Sequence, residues 1–250
     1  MKYKQLLTLI LLLPAFVFNS GFSKTGNPFR NTLQNNKVVG ASSYELLTDK
    51  KPSIVVEIQY MPGCKLRSAT VDNLISFIQT YLNKPGGIQV IEKEIPAASQ
   101  LTLSTAEIGR IENTHRTYYT TSKQVAIYFL ITNGSSSDYE TLGTAYRNTS
   151  IAIFSKTISR YAKGYSLTIK SKLETSTIEH EFGHLLGLVN LPSTIDVAHN
   201  DNAHHGHCTN KKCLMYYKAQ GTEILNYLKG ESVPGFDVAC RNDLKAYGGK

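Results

Sequence analysis

Apolar positions along the chain follow two rhythms, and the places where one gives way to the other outline the elements. The run IVVEIQY at 54–60 reads as a buried strand, which Met61, Pro62 and Gly63 terminate. Over 68–82 the apolar residues Val71, Leu74, Ile75, Ile78 and Leu82 keep helical spacing, and NKPGG at 83–87 stops that helix. A second strand, IQVIEKEI, follows from Ile88. Ser104 and Glu107 form a capping box ahead of a helix carrying Ile108, Ile111 and His115 on one side. VAIYFLIT at 125–132 is the most strand-like segment, closed by Asn133, Gly134 and Ser135, and 142–154 holds a further pair of strands. Strands alternating with helices before a final helix predict an α/β (α+β) fold, with a mixed sheet and its helices in an N-terminal lobe.

The two ends of this pattern differ from its middle. Residues 1–23 open with Lys2 and Lys4, continue in an apolar run at 6–18 and end in small residues, the build of a secretory signal peptide. The run is too short to span a bilayer comfortably. Residues 24–52 are polar and predict a flexible leader, leaving one domain over 53–250. The expected location is therefore secreted or periplasmic. A chain of 250 residues, 41% hydrophobic, can bury a core of its own. Its net charge of +8 is scattered, without a basic run or a nucleic-acid motif, so no nucleic-acid partner is expected. No stable membrane span is expected either, and the chain is read as a monomer.

Chemistry concentrates in one region, because six of the seven histidines lie between 180 and 207. His180, Glu181 and His184 form H-E-x-x-H on a helix whose buried side is Ile178, Phe182, Leu185 and Leu186, with Thr175, Ser176 and Thr177 as candidate caps. Residues four apart on a helix share a face, so both imidazoles reach one ion, and Glu181 projects beside them. Zinc lowers the pKa of a bound water to about 7, which lets a neighbouring carboxylate act as general base near neutral pH. Gly187 fits a helix-ending glycine with φ > 0. His115 reads as a packing residue.

The run H-E-x-x-H-x-x-G opens the metzincin pattern, yet Asn190 stands where that pattern has its third histidine. Further on, His207-Cys208, four residues, then Cys213-Leu214-Met215 resembles the H-C-x4-C-x-M portion of the archaemetzincin signature. The resemblance covers 53–250 in outline and 180–215 in motif detail. It implies a metzincin-like catalytic domain with an N-lobe at 53–187 and a small irregular C-lobe at 188–250 that contains a Met-turn and a terminal helix. It implies His207 as third zinc ligand after an inserted loop, with His199 the rival and Asp201 its nearby acid. His204 and His205 would be loop residues. Met215 would be the Met-turn methionine, and Tyr217, in competition with Tyr216, a residue near the metal. Gly143, Thr144 and Ala145 would hold substrate backbone on an edge strand.

Archaemetzincins also carry four cysteines for a second, structural zinc. Here only Cys240 follows Cys208 and Cys213, and position 243 is Asp. In an exported chain a disulfide among these three, with Cys64 as a further candidate, is expected in preference to a second zinc. The implied activity is a zinc-dependent peptidase acting on a peptide or protein substrate, with one catalytic zinc and Glu181 as base. A thermolysin-like site would need Glu223 or Glu231 as ligand, and neither has suitable surroundings. The alternative is a zinc-binding surface or interaction protein on the same scaffold, without catalysis.

Overall fold

The structure, a computed structural model, describes residues 35–189, 199–220 and 222–250. The expected signal segment, the first part of the leader and Asn190 lie outside the described residues.

Five strands form the main sheet. They are β1 (Ser53–Tyr60), β2 (Ile88–Glu94), β4 (Gln124–Thr132), β6 (Gly143–Arg147) and β7 (Ser150–Phe154), in the order β2-β1-β4-β7-β6. The first four run parallel, and β6 closes one edge antiparallel to β7. The central strands are buried on both faces, which is why they read as unbroken apolar runs and not as alternations. Two short strands, β3 (Thr102–Leu103) and β5 (Ser135–Ser136), pair separately. The crossovers are α2 (Ser68–Tyr81) and α3 (Thr105–His115), and α3 begins with the reciprocal Ser104–Glu107 capping box.

Next come α4 (Ser155–Tyr161) and the long helix α5 (Leu167–Leu185). The helix starts eight residues before Thr175, with the Ser166 hydroxyl accepting from the Ile169 amide as its cap. Thr175, Ser176 and Thr177, expected as caps, are instead buried in its middle. Burial in the middle of the helix outweighs their local preference for a helix start. Phe182 seats the helix, packing 5.5 Å from Phe77 of α2 and 6.4 Å from Phe129 of β4. Glu174 adds a polar fastening, accepting from Arg67 and from the Thr70 hydroxyl at 3.3 Å.

The C-terminal lobe has little regular structure: a 3₁₀ turn (Tyr217–Gln220), α6 (Thr222–Leu228) and α7 (Val238–Ala246). The expectation of a flexible leader up to residue 52 is corrected for residues 35–52. Helix α1 (Ser43–Leu47) buries Leu46 and Leu47 completely in the common core. Lys84 donates to the carbonyls of Glu45, Thr48 and Lys51, and the Asn35 side chain donates to Glu112. Glu112, fully buried, also takes Arg116, Arg147 and Ser150 at 2.7 Å each, so one carboxylate ties α3 to the end of β6. Among the described residues no helix is long and apolar enough to cross a membrane.

Candidate metal centre

Helix α5 presents His180 and His184 one turn apart, on the side where His180 meets Leu214 of the C-terminal lobe. Gly187, at φ +81°, ends the helix region, its amide bonded to the His184 carbonyl. The chain then re-enters the site through a hairpin whose arms pair at Asn200 and Cys208, and this brings in His207. The three rings form a compact triangle, with centroids 4.9 Å apart for His180–His184, 5.2 Å for His180–His207 and 5.4 Å for His184–His207. One ligand nitrogen from each lies within 4.8 Å of the others.

Hydrogen bonds on the outer nitrogens set how these rings face inward. His180 Nδ1 donates to the Leu214 carbonyl at 2.7 Å, so its lone pair sits on Nε2. That Nε2 is buried and has no protein partner. A buried acceptor left open among two other imidazoles fits a metal ion and little else. His207 Nδ1 likewise donates to the carbonyls of His204 and His205, at 3.2 and 3.1 Å. Burial holds all three imidazoles neutral: His180 falls well below the usual histidine range, His184 is driven down to about 3, and His207 is lowered as well. Neutral imidazole is the form that binds metal.

Glu181, next to His180 on the helix and almost fully buried, accepts with Oε2 from the Ala145 amide of β6 at 2.5 Å. Strand β6 therefore runs directly along α5. A Cβ on Gly143 would lie 2.8 Å from Thr177 Cγ2, so that position must be glycine for the strand to approach so closely. Thr144 follows it, on the outermost strand of the sheet. Met215 lies fully buried under the helix, and a Cβ at Gly183 would fall 2.4 Å from its sulfur. Tyr217 is stacked on His204, with ring centroids 3.4 Å apart, and Tyr216 stands beside it at 4.8 Å.

His199, the rival third ligand, is not in this triangle. Its Nε2 is 2.9 Å from Asp243 and its Nδ1 is 3.8 Å from the Cys240 sulfur. It borders a second donor group, Cys208, Cys213, Asp237 and Cys240, whose ligand atoms also lie within 4.8 Å of one another. The expected disulfide is corrected here, because all four cysteines are free thiols. Cys213 and Cys240 have their sulfurs 3.6 Å apart, far beyond an S–S bond of about 2.05 Å. Three sulfurs and a carboxylate converge on a point, which is the arrangement of a closed four-ligand site and not of a pair. Hydrogen bonds from Cys208 and then Cys240 lower the Cys213 thiol, while the same contacts raise that of Cys240. Cys64 is elsewhere, near Ser155, Lys170 and Glu174. Sequence reasoning missed Asp237. The signal was present as D-x-x-C ending at Cys240, three residues upstream of the cysteine and not at Asp243.

The sequence matches no protein-family model and no curated protein. Solved structures do resemble the fold. Archaemetzincin from Methanopyrus kandleri superposes with a TM-score of 0.54 at 14% identity, over 80% of this chain and 98% of that one. Metalloproteinase-II from Bacteroides fragilis gives 0.43 at 14% identity over 86% of this chain and only 55% of its own length, too loose a likeness to argue from. At such identity the comparison establishes fold alone, and the chain has the mixed, mostly parallel α/β fold of archaemetzincin, with two groups of metal-donor side chains among the described residues of its C-terminal half.

Proposed function

We propose that the chain is a zinc-dependent peptidase that hydrolyses peptide bonds outside the cytoplasm. The observation that carries this reading is the partnerless, buried His180 Nε2 facing His184 and His207, with the Glu181 carboxylate alongside. His180, His184 and His207 would hold the metal, and zinc, when bound, supplies Lewis acidity and an activated water. Glu181 would be the proton carrier, accepting a proton at a carboxylate oxygen and returning it to the departing amine. Its bond to the Ala145 amide fixes the carboxylate before substrate arrives. Strand β6 is the outer strand of the sheet, and an extended peptide would add to its edge along Gly143, Thr144 and the carbonyl of Ala145, whose amide Glu181 already occupies. Met215 supplies an apolar floor, and Tyr217, held against His204, stands at the rim.

The second donor group would take a structural metal, since three thiols and one carboxylate make a complete set of four ligands. Export rests on the build of residues 1–23 and is tested by fusing them to a reporter and locating it.

The enzymatic reading is tested with a diverse peptide mixture, the parent protein and a Glu181→Gln variant of equal zinc content, with cleavage read by mass spectrometry. Cuts made by the parent and missing from the variant support it. Bound zinc without cuts by either protein would transfer the reading to a non-catalytic zinc-binding module. A parent that holds no zinc would remove both.

A further inference from the structure

His207 and Cys208 are consecutive, yet their side chains enter different donor groups. The hairpin that carries them is held by hydrogen bonds at its base and, at its tip, by the stacking of His204 on Tyr217. Its arms are joined by the Asn200–Cys208 bridge, by the Asp201 amide to the His207 carbonyl at 2.8 Å and by the Thr209 amide to the His199 carbonyl at 2.9 Å. Its tip is polar: Asn202, Ala203 and His205 are exposed, and Asp201 accepts from the amides of Ala203 and His204. No apolar side chain of the tip is anchored in the core. The well-buried donor side chains of the hairpin are His199 and Cys208 at its base, and both turn toward the sulfur group.

Three separate segments meet there. Cys208 comes from the hairpin and Cys213 from the Met-turn, while Asp237 and Cys240 come from the start of α7. Asp237 uses Oδ1 to cap that helix through the Cys240 amide at 2.9 Å. Its Oδ2 stands 3.5 Å from Cys208 Sγ and accepts from Asn210 Nδ2 at 2.9 Å. Two sulfurs on one tetrahedral zinc stand about 3.8 Å apart, given Zn–S near 2.3 Å. The 3.6 Å between Cys213 and Cys240 is close to that spacing. His199 approaches from outside, its far nitrogen held by Asp243, as an imidazole does when it supports a ligand sulfur.

We infer that this sulfur-rich centre is the fastener of the catalytic histidine: filling it, with Asp237 as the fourth ligand, sets His207 in place and raises the metal affinity of the three-histidine centre. The inference rests on the peptidase reading only in taking His180, His184 and His207 as a metal site. Metal binding to an incompletely ordered site is coupled to its folding, so free energy gained at Cys208 is shared by its neighbour His207. The coupling is reciprocal, and coupling of this kind changes affinity by about fivefold to 150-fold.

The test uses the full chain and three variants, Cys213→Ser, Asp237→Asn and His199→Ala. Total zinc is counted by elemental mass spectrometry, and zinc affinity of the histidine centre is read by competition with a chromophoric chelator. Cobalt loading reports the sulfur centre through thiolate-to-cobalt charge transfer. The parent is expected to hold two metals and to show the thiolate band. Cys213→Ser and Asp237→Asn are expected to lose one metal, while the remaining centre binds zinc at least about tenfold more weakly than in the parent. Asp237→Asn guards against a folding artefact, because it keeps an oxygen for the helix cap. His199→Ala is expected to retain two metals.

Three results overturn the inference while leaving the peptidase reading intact. One is a variant stripped of its second metal whose histidine centre keeps the parent's affinity. Another is Asp237→Asn retaining a full second site. The third is a parent with one metal and no thiolate-to-cobalt band. A parent that binds no metal at all overturns the inference together with the peptidase reading.

Discussion

Gly183 is the unassigned residue between Glu181 and His184 in H-E-x-x-H, and the packing explains why it is glycine. An added Cβ would lie 2.4 Å from Met215 Sδ and 3.2 Å from the Phe236 ring, so the helix can rest on the Met-turn only where it is bare. Gly183→Ala is expected to destabilise the protein by about 1–3 kcal/mol, as overpacking does, and to weaken zinc binding by lifting the floor beneath the histidines. A differential scan and a zinc titration check this, and an alanine variant with parental stability and affinity would refute it. Glu179 gives a second prediction. Burial raises its carboxyl to about 8, from the usual 4.5. A folded pKa above the unfolded one contributes stability that is complete below pH 4.5 and is lost as pH rises through 8. Glu179→Gln should therefore leave Tm nearly unchanged near pH 4 and raise it at pH 8–9, and an equal shift at both pH values would sink the argument. His180, Glu181 and His184 are legible in the sequence because helical spacing alone brings them together. His207 needed the resemblance, since a hairpin across an insertion has no fixed period. Asp237 was hidden because carboxylates are common near helix starts and its partners are remote in sequence.

Elements were legible where the pattern of apolar residues was long. The strands at 53–60 and 124–132, the helix over 68–81 and the capping box of α3 are where hydrophobic period and stop signals put them. Segment 35–52 was not, because its burial depends on two adjacent leucines, too few to show a period. Leu46 and Leu47 are nonetheless fully buried, the Asn83 amide bonds the Leu47 carbonyl at 2.8 Å, and Lys84 holds the turn that follows. Leu47→Ala is expected to cost about 2–5 kcal/mol, the range for a fully buried leucine. Removing residues 35–50 should prevent folding and not merely unmask the site. Denaturant unfolding of the point variant decides this, because a dispensable leader would tolerate alanine with no change in midpoint. The start of α5 shows the opposite failure. Its local cap signals at 175–177 are strong, but the sheet buries those side chains and the helix extends back to Ser166.

At the scale of the whole molecule, the two donor groups lie where the C-terminal lobe meets α5, so metal and acid should act on stability through one junction. Burial drives His184 down to about 3, and His180 and His207 are lowered too. A folded pKa below the unfolded value of about 6.5 contributes stability that is complete above pH 6.5 and is lost as pH falls through the folded value. Glu112 acts in the same direction: burial pushes its carboxyl up, but Arg116 and Arg147 outweigh that and hold it below its usual value, so its share is lost below about pH 4.5. Bound zinc requires the three imidazoles neutral, so protons compete with the metal over the same acid window. Thermal scans from pH 8 to 4, with zinc and with excess chelator, should show a metal-dependent gap in Tm that is wide near pH 7 to 8. A ligand bound at about a hundred times its Kd stabilises by about 2.7 kcal/mol, and that gap should narrow only as pH falls toward the lowered pKa values of the triangle, about 3 for His184. A gap that is absent even at pH 7 to 8 would remove the histidine triangle as a stabilising metal site. A gap that closes in acid while the cobalt–thiolate band persists would place the acid-labile metal on His180, His184 and His207. In that case the metal held by sulfur would outlast the one held by imidazole, because protons must displace it from thiolates that zinc binds more tightly.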